Sequence, residues 1–144
     1  MSFLAVAQTV LEDIGEHMHR LQTVAPTGAG PVQVAAGVGA WTLGAFSLPF
    51  LTAGWGTGLE FDLHWVDISN ISANDDYELV FYYGNTDIEA CRVAFTRSGP
   101  QVTSFQVHLQ TIIMPAGQRI RAKMMSGLGG NNCNAKLFYH TYTH

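Results

Sequence analysis

From residue 59 onward the chain is a series of short alternating runs separated by turn residues, and this restricts its fold more than any other feature. In "LEFDLHWVDIS" (59–69) Phe61, Leu63 and Trp65 fall on one side and Glu60, Asp62 and His64 on the other, the period of two that a half-buried strand requires. The phase slips near Val66, where Ile68 rather than Asp67 belongs inside, so a bulge is expected there. "YELVFYYG" (77–84) is apolar or aromatic on both faces and reads as a central strand. "IEACRVAFTR" (88–97) groups Cys91, Val93 and Phe95 on one face. "VTSFQVHLQTIIM" (102–114) reads as one long strand or two joined ones, and "AKLFYHTYT" (135–143) closes the chain. The intervening "NISANDD", "NTD", "SGPQ", "PAGQ" and "GLGGNN" are turn chemistry. Short strands at such spacing predict an antiparallel β-sandwich or barrel, and 144 residues fit one such domain.

The first part of the chain has a different period. In residues 3–21, Phe3, Ala7, Val10, Ile14, Met18 and Leu21 recur at three- and four-residue steps, the stripe of an amphipathic helix, with Ser2 placed as N-cap and Gly15 weakening its middle. "TVAPTGAGP" (23–31) then reads as a Pro/Gly linker. The expected organisation is a helical arm and linker over 1–30 and a β-domain over 31–144. That domain opens with a short strand at 32–36. It is followed by "AWTLGAFSLPFL" (40–51), whose Gly and Pro suit an irregular or edge strand. The start lacks the basic leading region of a secretory signal, and no apolar run is long enough to span a bilayer, so no membrane partner is expected.

One row of charge stands out. In "TIIMPAGQRIRAKMMSG" (111–127) a tight turn leads into a strand with Arg119, Arg121 and Lys123 on one face and Ile120, Ala122 and Met124 on the other. Three of the seven basic residues thus stand in line in a chain of net charge −4. The row has two readings. It pairs across a sheet with Glu60–Asp62 or Glu89, at roughly 0.2–1 kcal/mol per pair, or it meets another subunit, where charge sets register and specificity. Nucleic acid is not an expected partner, because phosphate binding rests on a basic excess that is absent. Charged residues make up only 12% of the chain, about half the usual share. Either partners cover part of the surface, or neutral Gly, Thr, Ser and Asn keep it soluble.

Enzyme chemistry is sparsely represented. No nucleophile elbow, phosphate loop, zinc-protease or dinucleotide motif is present, and neither a catalytic residue nor a cofactor is expected. His17 and His19 point to different helix faces. His140 and His144 share a strand face roughly 13 Å apart, too far for one metal. His64 beside Asp62 is half of a triad with no marked nucleophile. All six histidines therefore read as ordinary surface residues, with no metal site. Asp75 and Asp76 read as a polar turn. Cys91 and Cys133 lack metal spacing, and free thiols in a reducing compartment are the simplest reading, with a disulfide left open. Trp41, Trp55, Trp65 and the tyrosines would suit a sugar platform, although sandwich aromatics are more often core.

Two stretches carry a resemblance: "DISNISANDDYELVFYYGNT" (67–86), and "IIMPAGQRIRAKMMSGLGGNNCNAKLFYHTY" (112–142) with its Pro-Ala-Gly-x-Arg-Ile turn and strand. They resemble β-sandwich virion proteins of tailed bacteriophages, in particular capsid decoration or cement proteins and related head or tail accessory proteins. The resemblance covers most of 59–144 and leaves the helical arm outside it. It implies a jelly-roll-like domain without catalysis. It also implies a homo-oligomer, often a trimer, bound to the major capsid protein on the capsid exterior after assembly in the host cytoplasm. Phe3, Ala7, Val10, Ile14 and Met18 of the arm, with Arg119, Arg121 and Lys123, are the expected interface residues. A tail, fibre or baseplate component, with or without carbohydrate binding for host recognition, is the alternative.

Overall fold

In the computed structural model the described residues are 23–26, 30–56, 59–100 and 103–142, and among them the chain is mainly β. Eight strands run in order: β1 (Thr23–Ala25), β2 (Val32–Ala35), β3 (Glu60–Ser69), β4 (Asp75–Tyr83), β5 (Ile88–Arg97), β6 (Phe105–His108), β7 (Ile120–Ser126) and β8 (Asn132–Tyr142). They form two antiparallel sheets. The first has the order β1-β8-β3-β6, with β2 also pairing β8, and the second the order β5-β4-β7. The helical stripe with Phe3, Ala7, Val10, Ile14 and Met18 lies outside the described residues.

Alternation places the core. Phe61, Leu63, Val66 and Ile68 of β3 and Cys133, Ala135, Leu137 and Tyr139 of β8 join Tyr77, Leu79 and Phe81 of β4 and Ile120, Ala122 and Met124 of β7 in one buried cluster. The two sheets therefore share a single hydrophobic interior. Cys133 Sγ meets Met124 Sδ across it at 3.6 Å. Both cysteines are free thiols.

Three expectations are corrected. Thr23–Ala25, read as linker, pairs with Leu137–Tyr139 of β8, so the β-domain begins before residue 31. The bulge expected near Val66 is present, between Leu63 and Trp65, and what it corrects is the inward placement of Trp65. It turns Trp65 outward, half-buried, and leaves Val66 inside. The run 102–114 keeps regular pairing only over Phe105–His108. Beyond it Leu109 is still tied to His64 O and Met114 to Phe61 by backbone bonds, while Ile112 and Ile113 are exposed.

The irregular edge segment expected at 40–51 is present: residues 41–51 form no regular strand and strap the outer edge of β7. The N–H groups of Trp41, Gly44, Ser47 and Phe50 donate to the carbonyls of Ser126, Met124, Ala122 and Ile120 at 2.8–3.0 Å. The strap thus advances three residues for every two of β7, which a β ladder cannot do. Burial follows the same count: Thr42, Ala45 and Leu48 are exposed, and Leu43, Phe46 and Pro49 half-buried. Pro49, which has no N–H, falls between donors, where none is required. Gly44 is needed where the strap crosses β2, since a Cβ there would stand 2.1 Å from Ala35 O.

Candidate functional site

The basic row is formed as its alternation requires. Ile120, Ala122 and Met124 are fully buried, and Arg119, Arg121 and Lys123 lie half-buried on the opposite face. Their partners differ from those expected. Glu60 and Asp62 belong to the other sheet, and Glu89 is taken by Arg92. The acceptor is Asp87, in the β4–β5 turn beside Tyr83 and Ile120. Arg121 donates to it through Nε and Nη2 at 2.7 and 2.5 Å, and Arg119 Nη2 lies 3.3 Å from both oxygens. The Arg121 hydrogen bonds hold the Asp87 carboxyl below its ordinary value, against an upward push from burial. Phe46 of the strap lies under the row, 3.6 Å from the Arg121 guanidinium carbon and 4.2 Å from Lys123 Nζ, close enough for cation–π attraction. The row is therefore engaged within its own chain.

A different end of the molecule is apolar. The loops 36–42 and 127–131 lie side by side, joined by Gly130 N–H to Gly37 O at 2.8 Å and Ala36 N–H to Asn131 O at 2.7 Å. Asp75 Oδ2 accepts from Leu128 N–H and Asn131 Nδ2 at 2.8 and 3.0 Å. Burial pushes the Asp75 carboxyl up, but the bonds from Leu128, Asp76 and Asn131 outweigh it, so the carboxyl sits below its ordinary value. Asp75 and Asp76, expected as a polar turn, instead open β4 opposite Arg97 and Thr96, and from there Asp75 anchors a neighbouring loop. On these anchored loops Val38, Trp41 and Leu128 are 93%, 51% and 75% exposed.

A third cluster was not foreseen. The β3–β8 register sets Asp62 opposite His140, and the bulge keeps His64 on the same outer face. His64 Nδ1 and His140 Nδ1 are 3.1 Å apart, and His140 Nδ1 is 3.8 Å from Asp62 Oδ1. Tyr142 donates its hydroxyl to Asp62 Oδ2 at 2.8 Å. Asp62 Oδ1 is buried without a hydrogen-bond partner among the described residues. His140 is only 5% exposed, which corrects its reading as a surface residue. Trp65 packs edge-on to the rings of His64 and His108. His17, His19 and His144 lie outside the described residues. Sequence spacing pointed to the Asp62–His64 pair but not to His140, whose place depends on how β8 registers against β3.

No protein-family model matches this chain, and no curated protein or solved structure matches it.

Proposed function

We propose that the chain is a non-enzymatic structural protein of a tailed-bacteriophage particle. In this reading a jelly-roll-like β-sandwich decorates and stabilises the capsid shell from outside. It self-associates, most simply as a trimer, and contacts the major capsid protein. The reading starts from the resemblance carried by residues 67–86 and 112–142. The observation that carries it further is the anchored apolar end. Val38, Trp41 and Leu128 stand in water on loops fixed by Asp75 and by backbone bonds. Large apolar groups held rigidly outward lose little conformational freedom on docking and remove apolar surface from water when covered. Many copies on a symmetric lattice would multiply a modest affinity. The basic row contributes by stiffening the turn at Asp87 rather than by meeting a partner directly.

The tail, fibre or baseplate reading with a bound sugar draws on exposed Trp41. A groove of about 270 Å³ lined by Pro31, Asp67, Ser69, Thr103, Ser104 and Lys136 has no aromatic lining residue, so it offers no stacking face for a pyranose ring.

Light scattering on the full chain tests self-association. A concentration-dependent oligomer is expected, weakened by Trp41→Ser together with Leu128→Ser, with thermal stability unchanged. A cryo-EM map of intact particles tests the location. A particle with the chain in its tail, or a wild-type chain that stays monomeric and is absent from the capsid exterior, would overturn the proposal.

A further inference from the structure

We propose that Asp62, His64 and His140 form a binding site for a divalent first-row transition ion of the zinc class, pinning β8 to β3 on the outer face of the larger sheet. The reading is independent of any role in a virion. Its first support is geometric. One ligand atom from each of the three residues lies within 4.8 Å of the other two. Ligands about 2.0–2.1 Å from a tetrahedral zinc stand roughly 3.3 Å apart. The 3.1 Å between the two Nδ1 atoms and the 3.8 Å from His140 Nδ1 to Asp62 Oδ1 straddle that separation.

The second support is the carboxylate. Its Oδ2 is held by Tyr142, while Oδ1 is turned toward His140 Nδ1 and is buried with no hydrogen bond among the described residues. A buried carboxylate oxygen left in that state is costly, and a cation at the centre of the three groups removes the cost. A hydroxyl that orients a ligating carboxylate is also the outer-shell partner that metal sites use. The third support is the backbone. The bulge between Leu63 and Trp65 and the Asp62–His140 register place all three side chains on one face. The site thus rests on two paired strands rather than on loops, the more precise support for a ligand set.

Two imidazoles and one carboxylate are borderline ligands suited to zinc and its neighbours. Three protein ligands leave a fourth position for water. Binding replaces any proton lying between the two Nδ1 atoms, so it releases protons as the ion enters.

The test uses the full chain, stripped with a chelator and titrated with ZnCl₂ by calorimetry, with melting temperature as a second readout. One equivalent should bind per chain and raise the melting temperature. Asp62→Asn and His64→Gln, both at half-buried positions, should abolish that equivalent and the rise. Tyr142→Phe should weaken it about tenfold, and His108→Ala should leave it unchanged. Nitrogen NMR of the imidazoles should show zinc shifting Nδ1 of both His64 and His140. The proposal is overturned if no zinc binds, if the zinc bound by wild type persists in Asp62→Asn and His64→Gln, or if the Nδ1 signals of His64 and His140 do not move. The last two results would place the ion on other histidines, and the first would leave a hydrogen-bonded histidine pair.

Discussion

Replacing Asp87 with Ala should lower stability by about 2 kcal/mol. The side chain is 17% exposed and receives both Arg121 and Arg119, whose side chains are 24% and 25% exposed. A fully exposed pair would contribute about 0–1 kcal/mol, and breaking a fully buried one costs roughly 3–5 kcal/mol. This site lies between those limits. Two guanidinium groups would lose their shared acceptor, and Phe46 would still shield Arg121 through its ring face. At about 4 °C per kcal/mol for a chain of this size, the melting temperature should fall by roughly 8 °C. The pH dependence supplies a second check. The folded-state carboxyl titrates below its unfolded value, so its stabilisation is complete above about pH 4 and is lost as pH falls through the folded value. Thermal melts of wild type and Asp87→Ala should therefore differ fully at neutral pH and converge in acid. A double-mutant cycle with Arg121→Ala should return a coupling of about 1–2 kcal/mol. A melting temperature within about a degree of wild type, or a gap that does not narrow in acid, would refute the argument.

Gly44→Ala should cost about 2–3 kcal/mol by the overpacking rule, because its Cβ would lie 2.1 Å from Ala35 O and the strap would have to move off β2. Urea unfolding checks this through a lower midpoint at unchanged slope. Burial pushes both thiols up to about 12, so neither Cys91 nor Cys133 should react with a thiol reagent at pH 8 until the chain unfolds. A native chain labelled as fast as an unfolded one would contradict this.

What the sequence made legible is what alternation alone determines. Over Arg119 and β7 the strict exchange of Ile120, Ala122 and Met124 with Arg119, Arg121 and Lys123 gave the buried face directly, and in "YELVFYYG" the apolar groups on both faces marked the central strand of its sheet. The rest depended on partners distant in sequence. Thr23–Ala25 has no strand pattern of its own and is ordered by Leu137–Tyr139. The strap over 41–51 repeats every three residues because β7 presents a carbonyl every two, so neither a helical nor a strand period finds it. The Asp87 acceptor sits in a turn beyond any alternating run. His140 lies 78 positions from Asp62, and their pairing follows only from the register of β8 on β3. Local pattern fixes which way a side chain faces, but not which distant strand lies beside it.

The strap has a further consequence for how the smaller sheet can grow. A three-stranded sheet ordinarily offers two bare margins, and a new chain can add at either, so addition can continue without limit. Here the β7 margin is covered by the strap, four of whose N–H groups bond to it at a rhythm no ordinary strand can match. Only the β5 margin is unpaired among the described residues. Two copies of a sheet with one open side can meet at that side across a twofold axis, and the pair then has no such margin left. Ribbon-like polymerisation through this sheet is thereby excluded by geometry, even for a chain packed at high local concentration with few charges to hold copies apart.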